Sequence, residues 1–295
     1  YRGAYLVKRE DEKKMIDLHI HTCASDGTDD TRSLLERLRQ AGIKTFAVSD
    51  HDTVDGISSI EPLVPEDMMF IRGIEFGCIT EVRNCHILGY GFTPVAKAFV
   101  RILEKACQKK QEVIHRHIGF IASQYGIKLE EELIQLYGNG DWKQRLGEIL
   151  VSRGKADDIK MAIEKYIKPC QTNDIRLDER EAIEAILAAG GIPVWAHPYG
   201  GYGKRDMDDE EFNKQLHILM DAGLQGLECY YSAFDQEQVE KLLATAQKHN
   251  LLVSGGSDYH GDRKNIQLGT LNAYGKIVTE EELTIVDALK QRQNR

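Results

Sequence analysis

Nine side chains suited to binding metal ions are spread along the chain: His19, His21, Asp26, His51, Glu75, His86, His197, Asp258 and His260. Six of the ten histidines belong to this set. Imidazole and carboxylate ligands without cysteine suit Mn²⁺, Fe²⁺ or Zn²⁺. Two such ions about 3.5–4 Å apart clamp phosphoryl oxygens and allow a bridging hydroxide to attack near neutral pH. The set therefore points to a multinuclear centre that cuts phosphate esters.

Spacing supports this grouping. In the run Asp17-Leu18-His19-Ile20-His21 the two histidines lie two apart, so a strand sends both to one side. The polar loop Thr22–Gly27 follows and presents Asp26 nearby. Ser49-Asp50-His51-Asp52-Thr53 closes the apolar run Thr45–Val48, at the strand end where α/β barrels and open sheets hold their active sites. Asp50 and Asp52 also suit helix caps or turns. Glu75 ends another apolar run and is able to bridge two cations. His86 opens the run to Tyr90, and His197 closes the run Ile192–Ala196. Gly255-Gly256 allows a tight turn that brings Asp258 and His260 inward. The remaining histidines, His115, His117, His217 and His249, fall in helical patterns and read as structural.

Positioning these groups requires strands alternating with helices. Seven apolar runs read as buried parallel strands: Met15–Leu18, Thr45–Val48, Met68–Ile74, His86–Tyr90, Ile192–Ala196, Gly226–Cys229 and Leu251–Gly255. Helical patterns at Ser33–Ala41, Ala182–Ala189, Phe212–Ala222 and Gln236–His249 separate them, with Gly42, Gly190 and Gly223 as stops. The alternation predicts an α/β barrel. It breaks between about Val95 and Cys170, where the pattern is helical only and Ala96–Tyr125 reads as one long helix. The expected organisation is a barrel over 15–94 and 171–295, with a helical insertion over 95–170 that caps the active site.

At 295 residues, 42% hydrophobic and 29% charged, the chain is long enough for such a domain. No apolar run is long enough for a membrane span. The polar start shows no signal-peptide pattern, and Met15 is a candidate internal start. Six scattered cysteines without a CxxC pair read as reduced thiols of a cytoplasmic protein, Cys23 being a minor metal neighbour. A net charge of −9 argues against a bulk nucleic-acid-binding surface and leaves a small anionic substrate open.

The stretches DLHIHTCASDGT, FAVSDHDT, GIEFG, CHILGYG, WAHP and GGSDYHG, in this order over residues 15–261, resemble the PHP (polymerase and histidinol phosphatase) family. The resemblance implies a distorted (β/α)7 barrel and three divalent metal ions. It places His19, His21, Glu75 and Asp258 on the first ion. Glu75, His86 and His197 fall on the second, with Glu75 bridging. Asp26, His51 and His260 fall on the third. Glu75, His197 and Asp258 are the expected catalytic set. The most similar subgroup carries a helical insertion and hydrolyses 3′,5′-bisphosphonucleosides or short 5′-phosphorylated oligonucleotides. Its usual Arg-Pro-His stretch is replaced here by Lys143-Gln144-Arg145. With Lys168 and Arg176, Lys143 and Arg145 are the candidate substrate-binding cations.

Three other readings compete. A histidinol-phosphate-type phosphatase is a more distant relative within the family. An amidohydrolase would use a strand lysine as a carbamylated bridge, and Glu75 takes that role here. A non-catalytic module would have lost ligands, and all nine are kept.

Overall fold

The computed structural model describes residues 15–132, 136–137, 140–200 and 207–293. The polar first 14 residues, which lack a signal-peptide pattern, lie outside the described residues.

Seven strands make the barrel wall: β1 (Met15–Ile20), β2 (Ile43–Val48), β3 (Met69–Ile79), β4 (Asn84–Tyr90), β6 (Ile192–Ala196), β7 (Gly226–Tyr231) and β8 (Leu252–Gly256), in that spatial order. A two-residue strand, β5 (Leu177–Asp178), pairs with the outer end of β3. The wall closes between β8 and β1. There His21 N–H donates to the Tyr259 carbonyl at 2.9 Å and Asp258 N–H to the His19 carbonyl at 2.9 Å. The result is the expected distorted barrel of seven strands with outer helices.

One expectation is corrected. The run containing His86 was read as a parallel strand, but β4 runs antiparallel to both β3 and β6. Residues 80–83 alone join β3 to β4, and a parallel return needs a crossover of a dozen or more residues. The reversal explains why His86 opens its run. The start of an antiparallel strand lies at the same barrel end as the finish of its neighbours. Glu75 likewise does not end its strand, because β3 continues to Ile79 to pair with β4.

The outer helices obey their local signals. Helix α1 (Thr31–Gln40) starts at Asp30, whose carboxylate accepts from Ser33 N–H, and turns out at Gly42 in the left-handed region. Asp50 and Asp52 do not cap α2 (Asp55–Ile60), which starts at Val54 with no side-chain cap. Helix α3 (Lys97–Tyr125) is one unbroken 29-residue rod. Phe99, Ile102 and Ala106 on its first half pack into the barrel core with Phe76, Phe92 and Ile183. Ile114, Ile118 and Ile121 on its second half pack into a separate core. That core includes Trp142, Leu146 and Leu150 of α4 (Trp142–Ser152) and Tyr166. Just before α4, Gly140 N–H donates to the Ala24 carbonyl at 3.0 Å and Asp141 pairs with Arg263, which joins this segment to the loops after β1 and β8. None of the described helices is long and apolar enough to cross a membrane.

Candidate metal centre

The structure gathers all nine side chains around Glu75 at one end of the barrel. His19 Nε2 and His21 Nε2 each lie 3.2 Å from Glu75 Oε2, and His51 Nδ1 lies at the same distance from that oxygen. The other oxygen, Oε1, meets His86 Nδ1 at 2.7 Å and His197 Nε2 at 3.0 Å. Asp258 Oδ1 is 3.2 Å from His21 Nε2, and Asp26 Oδ1 is 3.2 Å from His260 Nε2. Ligand-capable atoms fall into three overlapping groups. His19, His21, Glu75 and Asp258 form one. His21, Asp26, His51 and His260 form another. The third is His51, Glu75 and His86. The first group matches the set that the family resemblance implies. In the other two the sharing differs: His21 and His51 each serve two groups, while His197 meets the cluster through Glu75 Oε1. Cys23 is exposed and belongs to none of the groups.

Local backbone explains the convergence. Gly27 lies under the His21 carbonyl so tightly that a Cβ there would sit 2.5 Å from the oxygen. The buried Asp50 carboxylate accepts from Thr22 N–H at 2.8 Å, Thr22 Oγ1 at 2.7 Å and Ser25 Oγ at 2.6 Å, which fixes the loop bearing Asp26. His197 and Asp258 both sit at positive φ, 29° and 59°, a costly conformation for non-glycine residues. The bend after β8 therefore falls at Asp258 rather than at the glycine pair. Gly256 serves close approach instead, since a Cβ there would lie 2.2 Å from His19 Cβ.

The polar atoms of this cluster fit divalent cations. His19 Nε2, both ring nitrogens of His21 and Glu75 Oε2 are buried without a hydrogen-bond partner. Buried polar atoms are normally satisfied, so the three orphans that meet at 3.2 Å, His19 Nε2, His21 Nε2 and Glu75 Oε2, mark a place for a cation, while His21 Nδ1 faces Asp26 on the other side of the ring. Electrostatics agree. Burial alone would raise the Glu75 carboxyl, yet the imidazoles of His51, His86 and His19 hold it well below the usual carboxylate range. Buried Asp258 and half-buried Asp26 are held low by His21 and His51 respectively. Burial opposes protonation of His21, but Asp258 and Glu75 push its pKa up to about 9. Clustered anions thus hold protons on the imidazole, and a metal ion would take their place.

Two buried carboxylates beneath the ligands escaped the sequence reading. Asp17 accepts from Ser257 N–H at 2.9 Å, Ser257 Oγ at 2.6 Å and Gly269 N–H at 2.8 Å. Glu228 lies against His19 and His197. Their signal was a carboxylate inside an otherwise apolar strand, in MIDLHI and GLECYY, which is costly unless it is partnered.

The candidate substrate-binding cations divide. Arg176 lies beside Gly77, its Nη1 2.9 Å from where a Cβ would be, and its charge acts on Asp52. Burial pushes the Asp52 carboxyl up to about 6, against the opposing effect of the Gly77 N–H and Arg176. Arg145 is half-buried and donates to the Leu136 carbonyl at 3.2 Å. Lys143 is exposed over the Trp142 ring, and Lys168 is exposed and paired with Glu164. Lys110 on α3 is within electrostatic reach of Arg145 and Asp52. Burial and the neighbouring Arg145 lower its pKa. Only its place in a long cation-rich helix (KACQKKQ) signalled it.

Fold and cluster together define a metal-dependent phosphoesterase of the α/β barrel type. The chain belongs to the PHP domain family, whose model matches residues 17–178. It is 28% identical over 263 residues to a 5′-3′ exoribonuclease of Haemophilus influenzae, covering 87% of this chain and 93% of that protein. It is 26% identical over 252 residues to a 3′,5′-nucleoside bisphosphate phosphatase of Chromobacterium violaceum, covering 83% and 87%. A crystal structure of a candidate metal-dependent phosphoesterase from Bifidobacterium adolescentis superposes with a TM-score of 0.74 at 25% identity. The match covers 95% of this chain and 96% of that one.

Proposed function

We propose that the enzyme hydrolyses phosphate esters of nucleotides, either 3′,5′-bisphosphonucleosides or short 5′-phosphorylated oligonucleotides. The observation that carries this is the set of orphaned buried atoms, His19 Nε2, His21 Nδ1 and Nε2, and Glu75 Oε2, at the barrel mouth. His19, His21, Glu75 and Asp258 would hold one ion. His86 and His197 would hold a second with Glu75, and Asp26, His51 and His260 a third. Mn²⁺, Fe²⁺ and Zn²⁺ all suit this donor set. When bound, such ions supply Lewis acidity towards phosphoryl oxygens and lower the pKa of water.

The chain's own groups would do the rest. Glu75, His197 and Asp258 keep the cluster in register, with Tyr231 and Lys264 fixing the outer oxygen of Asp258 at 2.9 and 2.8 Å. Arg145 and Arg176, joined by Lys110, would bind a second anionic group of the substrate at the edge of the mouth. Charge-assisted contacts of this kind contribute roughly 1.5–3 kcal/mol each. The insertion, from the second half of α3 through residue 170, would cap the mouth. Six free thiols fit a reducing compartment such as the cytoplasm.

A phosphate-release screen with added Mn²⁺ tests the reading, using a 3′,5′-bisphosphonucleoside, 5′-phosphorylated RNA, histidinol phosphate and a simple amide. Inorganic phosphate is expected from the bisphosphonucleoside, and 5′-mononucleotides, followed by chromatography, from the RNA. Turnover of the amide without phosphate release would replace the reading by an amidohydrolase.

A further inference from the structure

One carboxylate ties two ligand histidines together from behind. Glu228 is fully buried on β7. Its Oε1 lies 2.8 Å from His19 Nδ1, and a carboxylate only accepts, so the ring nitrogen donates. Its Oε2 accepts the backbone N–H of His197 at 2.7 Å. The first contact fixes the His19 tautomer with the proton on Nδ1 and leaves the Nε2 lone pair facing Glu75 and Asp258. The second holds the His197 backbone at its positive φ of 29°, a conformation the residue would otherwise leave. His19 and His197 stack at 5.8 Å between ring centroids, with Glu228 spanning both.

We propose that Glu228 is a positioning residue that sets two neighbouring metal positions at once, one through the His19 tautomer and one through the His197 backbone. The inference rests on the metal reading of the cluster above. An isosteric amide separates the roles. In Glu228→Gln one end of the side chain still accepts, but the other presents N–H groups. If the amide nitrogen faces His19, the ring must accept through Nδ1 and carry its proton on Nε2, which blocks coordination. If it faces His197, two N–H donors oppose each other and the loop shifts.

Calorimetric titration of metal-free protein with Mn²⁺ tests this, with folding checked by circular dichroism. Loss of such a supporting partner typically weakens binding about 10- to 100-fold. That loss is expected in Glu228→Gln at one of the two positions, the one using His19 or the one using His197, with the position built on Asp26, His51 and His260 unchanged. Glu228→Asp keeps the charge but withdraws it by one methylene, and should weaken the same two positions. Either variant, folded and binding as wild type does, overturns the proposal. A wild type that binds no metal overturns the metal reading and this inference with it. Zn²⁺-loaded wild type adds a direct signature of the donated proton. The His19 Nδ1 proton, donated to a carboxylate, should resonate far downfield and vanish in His19→Asn. Its absence in the wild type would also overturn the proposal.

Discussion

His86 Nδ1 lies 2.7 Å from Glu75 Oε1, across the antiparallel β3–β4 hairpin. On its other oxygen Glu75 meets His19, His21 and His51. With His197 also on Oε1, this single carboxylate touches histidines from four separate stretches of chain. Glu75→Gln should therefore hurt more than any other carboxylate substitution in the cluster, with metal content per chain falling by one or more ions. Elemental analysis beside Asp26→Asn and Asp258→Asn decides it, and equal retention in all three would remove Glu75 from the centre of the arrangement.

Purified protein reconstituted with Mn²⁺ should carry two or three ions per chain. Chelation should lower Tm, because ligands that bind only the folded state add to its stability. Fewer than one ion per chain, or an unmoved Tm, contradicts this.

His197→Ala should lower kcat by about 10²-fold or more, because a displaced ion no longer stabilises transition-state charge. His217, exposed on the outer helix Asp209–Asp221 and bonded to the Asn213 carbonyl, provides the contrast. His217→Ala should leave kcat unchanged, and similar kinetics for the two variants would refute this sorting of the histidines.

A substrate bearing two phosphates should be preferred over its monophosphate. Lys110→Ala or Arg176→Ala should each shrink that preference by roughly tenfold or more, given about 1.5–3 kcal/mol per charge-assisted contact. The readout is kcat/KM on a 3′,5′-bisphosphonucleoside and on the matching 5′-monophosphate. Equal values for both substrates in wild type would leave the second-anion site without support.

Gly256→Ala should destabilise the fold by about 1–3 kcal/mol, the usual cost of overpacking, and should reduce metal content by pushing His19 aside. Thermal melting and elemental analysis measure both. A wild-type Tm would show that β8 has room to yield.

Most of the candidate ligands are legible because they sit at or near a strand end or in a loop, where a charged group in an apolar context has few structural excuses; Glu75, inside β3, is the exception. Strand direction was not legible. An apolar run such as His86–Tyr90 reads the same both ways, and only the length of the linker at 80–83 decides. Glu228 and Asp17 were hidden by the strength of the strand pattern around them. Lys110 was one cation among several on α3, and only its tertiary neighbours distinguish it. The glycine pair was read as a turn former because sequence reveals permissive residues but not what packs against them.

The reversal of β4 also decides where the long helix begins. Tyr90 pairs with Gly73 and Ile192 at the barrel floor, and Phe92 stacks on Phe99 at the foot of α3. From Ala106 to Tyr125 the helix climbs roughly 28 Å at 1.5 Å per residue. It is a lever with its fulcrum in one core and its load in another. A tilt of a few degrees at Phe99 and Ile102 sweeps the far end by about 2 Å. The placing of the second core relative to the first is thus set by side chains at the foot of α3, beside the floor of the barrel.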